Sequence, residues 1–248
     1  MQLKNNNKKL KKKLILTNNF KMPFISSVGS RTGNRCKKPS NTADASVVLT
    51  NGTTDMNTTG MTLLSSISGV DDGFQYIPFN NNFYFYGNQY SSDGSTDVAN
   101  AIYWNTNNVL GFGVGNNTIT WVANTGKGFL LGNADRRTNT CYASNSQPSS
   151  GIYILKLLVF YQNYYSDGVA NAGKYQIRLI RNTNVSKQYV EVRCNSSVAS
   201  GGQWSVANGT SFNPNLYITN IASGASFLLT SDLNGSSWTY VANAHISI

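Results

Sequence analysis

Side chains able to do chemistry are few in this 248-residue chain, which has one histidine, His245, and one glutamate, Glu191. A cysteine nucleophile would have to pair His245 with Cys141 or Cys194, and no spacing in the sequence supports that pairing. Asp71 and Asp72 are adjacent carboxylates, the residue type that glycoside hydrolysis requires. Neighbours on a strand point to opposite faces, however, and Gly73 follows as it does in an ordinary turn. Asp93 and Asp97 have the spacing of a calcium loop but lack its third acidic ligand and its distal glutamate. The glycines of Gly111 to Gly115 fit no phosphate-binding pattern, because neither a G-x-G-x-x-G match nor a following lysine is present. These residues read as a protein that is not an enzyme, with no cofactor, no metal and no small-molecule substrate.

Two other groups carry binding chemistry. Tyr84, Tyr86, Tyr103, Trp104 and Trp121 are candidates for a glycan-stacking platform or a subunit contact, although half of any such run must face inward, and burial in a core or an interface is the favoured outcome. Lys4, Lys8, Lys9, Lys11, Lys12 and Lys13 form a cationic block that would neutralise phosphates or anionic head groups with little regard to sequence. A solubilising tail or a nuclear-import signal has the same composition.

The elements that must position these groups are short. Aromatic and β-branched runs alternate with Asn-, Gly- and Ser-rich turns from Asp71 to Gly113, and Phe83 to Tyr86 and Ala101 to Trp104 read as strands. Further strands are expected at Ala45 to Thr50, Thr62 to Ile67, Thr118 to Val122 and Gly128 to Leu131, followed by a long polar connection from Asn133 to Ser150. Ile152 to Tyr161 lacks alternation, which predicts a strand covered on both faces. Tyr175 to Arg181 and Gln188 to Cys194 alternate clearly and read as an antiparallel hairpin with one face in the core and the other wet. On that wet face Arg178 can meet Glu191 or Arg193, and an ion pair there is worth little. Gln203 to Val206, Leu216 to Ile221, Ser226 to Thr230 and Trp238 to Ala242 complete the set. Strand signals at this spacing, without a helix, predict an all-β fold, a single jelly-roll β-sandwich.

Charge divides the chain in two. Eleven lysines and arginines fall between Met1 and Lys38, while the first acid is Asp44. The remaining nine bases face ten acids, so the net charge of +10 belongs to the first segment. Residues 1–43 are expected to form a basic arm and extended connector, disordered when free, and residues 44–248 the β-domain. A near-neutral body kept soluble by Asn, Ser, Thr and Gly tends to associate. Three widely spaced cysteines give no support to a disulfide-dense framework or a zinc ribbon, and no apolar run reaches the ~20 residues of a membrane helix. Seven glycosylation sequons leave an extracellular domain as the alternative.

The stretch DDGFQYIPFNNNFYFYG, with IYWNTNNVLGFG, GNADRRTNTCY, YQIRLIR and QYVEVRC, resembles the vertex (penton) capsid proteins of nucleocytoplasmic large DNA viruses. It is similar, more loosely, to nidogen-like adhesion domains. The resemblance spans Asp71 to Cys194 and leaves out the arm. It implies a single jelly roll assembled as a homopentamer at each fivefold vertex, and it carries over no catalytic residue. Major capsid proteins of that group resemble double jelly rolls, for which a body of about 205 residues is too short. The expectation is a virion structural protein made in the host cytoplasm and placed in the capsid shell. Its arm would contact major and minor capsid proteins, the inner membrane or viral DNA. A minor capsid (cement) protein and a carbohydrate-binding adhesion sandwich are the alternatives.

Overall fold

The computed structural model describes residues 46–50, 52, 56–117, 126–161, 173–194, 203–209, 211–213 and 224–248. The chain divides into two units between Ser40 and Asn41. The basic arm with its six lysines, Cys36, Trp121 and the strands expected at Thr118 to Val122 and Leu216 to Ile221 lie outside the described residues.

The second unit is built from antiparallel strands. In chain order they are β1 (Ser46–Val48), β2 (Thr62–Leu63), β3 (Val70–Asp71), β4 (Phe74–Tyr76), β5 (Phe83–Phe85), β6 (Asn88–Tyr90), β7 (Ile102–Asn105), β8 (Val109–Phe112) and β9 (Lys127–Asn133). There follow β10 (Arg137–Ser149), β11 (Ile152–Tyr161), β12 (Gly173–Asn182), β13 (Lys187–Cys194), β14 (Gln203–Asn208), β15 (Ser211–Asn213), β16 (Ser226–Asp232), β17 (Thr239–Ala242) and β18 (His245–Ser247). An eight-stranded sheet runs β17-β16-β13-β12-β11-β10-β2, with β3 also on β10, and a six-stranded sheet runs β15-β14-β9-β8-β7-β4. Two small sheets, β5-β6 and β1-β18, complete the unit. Among the described residues no helix is long and apolar enough to cross a membrane.

The two large sheets enclose one core, as a β-sandwich does. Trp104, Leu110, Phe112 and Phe129 from the six-stranded sheet share it with Leu155, Leu157, Val159, Ile177, Leu179, Val190 and Val192 from the eight-stranded one. Trp104 meets Tyr175 across the sheets at 6.3 Å and Trp204 meets Phe227 at 5.7 Å. The β5-β6 hairpin plugs the sandwich with Phe83 and Phe85, which stack on Phe112. Its turn uses positive φ at Tyr86 and Gly87, the backbone that a two-residue hairpin with the twist of its strands requires.

Two expectations change. The polar stretch from Asn133 to Ser150 is not a connection: it contains β10, the longest strand among the described residues, which pairs with β11, β2 and β3. Its inward side chains, Thr138, Cys141 and Ala143, are small but buried, so no large apolar residue marks the alternation. The hairpin β12-β13 also lacks a wet outer face, because Ile180, Tyr189 and Glu191 on that side are buried. The strand β11 is covered on both faces as expected: Leu155, Leu157 and Val159 face the main core, while Ile152 and Ile154 join a second cluster with Ile180, Tyr189, Leu228 and Ile246.

Candidate functional site

The second cluster exists because β18 lies on the outer face of the eight-stranded sheet, paired with β1 in the register Ser46↔Ser247, Val47↔Ile246, Val48↔His245. A polar clamp fixes it there. The Glu191 side chain is fully buried, with Arg178 directly opposite it on β12 and Arg193 two residues along on its own strand. Arg178 Nε donates to Glu191 Oε1 at 2.8 Å and Arg178 Nη2 to Oε2 at 2.7 Å, a bidentate pair. Arg193 Nε donates to Oε1 as well, and the backbone N–H of Ile246 donates to Oε2 at 2.6 Å. The carbonyl of Ile246 in turn accepts from Arg178 Nη2 at 2.8 Å and Arg193 Nη2 at 3.0 Å. One carboxylate and two guanidinium groups thus satisfy both backbone groups of a residue in the last strand. Burial pulls the Arg193 guanidinium below its ordinary pKa; Glu191 opposes that shift and Arg178 adds to it.

Beside the clamp the same face opens into a cavity of about 520 Å³ lined by Asn57, Thr59, Ser144, Ser146, Ile154, Lys156, Gln176, Arg178 and Arg193. Strand pairing builds its floor, because Ser144 stands opposite Lys156 and Lys156 opposite Arg178. Except for Ile154, every described lining residue is polar or cationic.

The candidate aromatics are not brought together. Trp104 is fully buried between the sheets, its indole N–H donating to Thr138 Oγ1 at 3.4 Å. Tyr103, its neighbour, points the other way, to the outer face of the six-stranded sheet, where it packs edge-on against Phe74 at 5.8 Å and Tyr76 at 6.3 Å. It is 1% exposed. Burial therefore removes Trp104 and Tyr103 from a glycan platform or subunit contact. Tyr84 is half-buried, with the Arg181 guanidinium 4.8 Å from its ring centre and its hydroxyl donating to Gln89. Tyr86 packs against Phe85 at the edge of the main core.

Glycine makes room for this outer aromatic group. A Cβ at Gly111, directly opposite Tyr103 in the β7-β8 register, would overlap the Tyr103 ring; Gly94 and Gly115 leave the same space beneath Tyr76 and Phe74.

The carboxylates weighed for catalysis or calcium have local partners. Asp72, an exposed residue at φ 48°, accepts from Asn107 Nδ2 at 2.8 Å, and the buried Asn107 Oδ1 accepts from the Arg136 backbone N–H. Burial, then Asp72 and Asp135, raise the Asp71 carboxyl above its ordinary pKa, while Arg137 partly offsets them. Asp93 accepts from Ser95, and Asp97 caps the short 3₁₀ turn at Val98–Asn100 through the N–H groups of Ala99 and Asn100. Among the described residues no three His, Cys, Asp or Glu side chains converge on a metal position. Cys141 and Cys194 are buried thiols; burial pushes Cys194 up to about 12 and Cys141 further. His245 lies outside the core and its Nδ1 bonds the Thr50 carbonyl at 2.8 Å.

Sequence reasoning paired Arg178 with Glu191 but placed them on a wet face where the pair is worth little; the structure buries Glu191, and the hold of the group on β18 was missed. The available signal was a lone glutamate whose strand neighbours across and along the hairpin are both arginines. The fold and site together define an antiparallel β-sandwich with a strand locked over one face by buried charge. Comparison with family models, curated proteins and solved structures gives no match to the chain.

Proposed function

We propose that the protein is a virion structural subunit, a penton protein closing the fivefold vertices of an icosahedral capsid, with the two-sheet body as a jelly roll and the basic arm as its inward anchor. The observation that carries this reading is the division of charge: eleven cations and no acid in the first 38 residues, against a body with nine bases and ten acids. A body of that kind is suited to packing against copies of itself, and closed rotational symmetry buries its side surfaces. The arm suits an anionic surface or a neighbouring shell protein, ordering as it binds at an entropic cost. The antiparallel sandwich is the architecture such a subunit needs, and the resemblance over Asp71 to Cys194 points the same way.

A minor capsid role is the second reading, favoured by the exposed apolar side chains Val47, Leu49, Leu63 and Val70 on and beside the first three strands, which suit a neighbouring shell protein. The burial of Tyr103 and Trp104 removes two of the five aromatic side chains that suggested an adhesion reading. Native mass measurement on the full chain over a concentration series tests the assignment. A pentamer is the expected species; a molecule that stays monomeric at the highest concentration overturns the penton reading.

A further inference from the structure

Among the described residues the cavity beside the clamp gathers more positive than negative charge. Lys156 and Arg178 are directly opposite each other on adjacent antiparallel strands, and like charges in that position repel. Glu191 is the one acid in contact with this group among the described residues, and its carboxylate is saturated. It already accepts from two atoms of Arg178, from Arg193 and from the Ile246 N–H, which uses the roughly four lone-pair sites a carboxylate offers. Nothing of it is left for Lys156. The cavity lining thus presents three cations, and the described lining residues include no acid. Ser144, Ser146 and Gln176 add hydroxyl and amide groups around the same space.

We propose that this cavity binds a phosphate or sulfate monoester carried on a hydroxylated, sugar-like body. The oxyanion sits between Lys156 and the outer edge of Arg178 and relieves their repulsion, while the hydroxyl and amide groups hold the body of the ligand. An open cleft of about 520 Å³ is within the range of small-molecule sites, on the order of 300 to 1,000 Å³, and has room for one substituted monosaccharide. Its polar lining disfavours an apolar ligand. Arg178 is held rigid by the clamp, so one cation of the site is fixed before the ligand arrives, which limits the ordering cost of binding. The site lies on the body and is independent of whether the chain forms pentamers.

Thermal unfolding of the full chain tests this, with glucose 6-phosphate, glucose 6-sulfate and glucose as probes and sodium chloride at matched ionic strength as control. The wild type and Lys156→Met and Lys156→Arg variants share the basic arm, so any arm binding is common to all three. Ligand binding to the folded state raises the midpoint saturably. Both monoesters are expected to do so in the wild type and in Lys156→Arg, glucose is expected to have no effect, and Lys156→Met should need at least about tenfold more monoester for the same shift. Lys156→Met should also unfold no earlier than the wild type without ligand, because it removes a repulsion. A monoester response no larger than that to chloride, or an equal response from wild type and Lys156→Met, overturns the proposal.

Discussion

The outer faces of the two sheets solve the same problem by opposite means. Antiparallel sheets commonly leave one face to water, but here both outer faces carry apolar side chains that need cover. On the eight-stranded sheet the cover is another piece of backbone, β18, held by Glu191, Arg178 and Arg193. On the six-stranded sheet the cover is made of the sheet's own side chains: Phe74, Tyr76 and Tyr103 turn edge to face and lie over glycines. A charge clamp is demanding, since a buried carboxylate is tolerated only when every lone pair is engaged. An aromatic cover makes no such demand but fixes the size of its neighbours. One face should therefore be sensitive to the loss of a single atom group, the other to the gain of one.

Glu191→Ala is expected to have the largest effect. It leaves two largely buried guanidinium groups and the Ile246 N–H without their acceptor, and removing one partner of a buried pair costs about 3–5 kcal/mol. Chemical denaturation measures this, and limited proteolysis should show cleavage near β18. A loss below about 1 kcal/mol, the scale of an exposed pair, would mean that β18 is held by its apolar contacts alone.

The core between the faces sharpens the comparison through pH. Cys141 and Cys194 have thiols raised above their unfolded pKa by burial. In alkali the unfolded chain releases these protons first, so the stability they contribute is complete below about pH 8.5 and declines as pH climbs toward 12. The expected decline is roughly 1.4 kcal/mol per pH unit for each thiol within that window, read from denaturation curves at about pH 8, 9 and 10. Thiol labelling of the folded protein at about pH 8 should spare both residues; rapid modification would contradict their burial.

On the aromatic face, Gly111→Ala forces the Tyr103 ring aside and is expected to cost about 1–3 kcal/mol, the usual effect of overpacking. The same substitution combined with Tyr103→Ala should recover part of that loss, and a double mutant no better than Gly111→Ala would detach the glycine from the ring. The smallest effect is expected from Tyr76→Phe, which removes the phenol oxygen that accepts from the Gly115 N–H at 3.1 Å. About 1 kcal/mol is the scale of one such bond. An unchanged stability would make the hydroxyl dispensable and leave the ring as the whole of its contribution.

How much of this is legible in the sequence depends on the size of the inward side chain. The strands β11, β12 and β13 announce themselves because large aliphatic residues alternate, or run unbroken where both faces are covered. The strand β10 hides because Thr138, Cys141 and Ala143 fill its inner face and Ser, Thr, Asn, Gln and Pro make up most of the rest, a composition shared with loops. Glu191 reads as facing solvent because an alternating charge in a strand ordinarily does; what overrides that reading is a strand 55 positions away in sequence, beyond the reach of local pattern. Tyr103 and Trp104 show the period-two rule working: adjacent aromatics are buried on opposite sides of one sheet.

The pairing of β1 with β18 also sets an order of events during synthesis. The first strand of the body leaves the ribosome early, but its partner is made only after the whole sandwich has been translated. Until then Ile154, Ile180 and Leu228 stay uncovered and the carboxylate between its two arginines lacks its backbone donor. A nascent chain paused before His245 would thus present a sticky, half-dressed surface, the kind that chaperones hold.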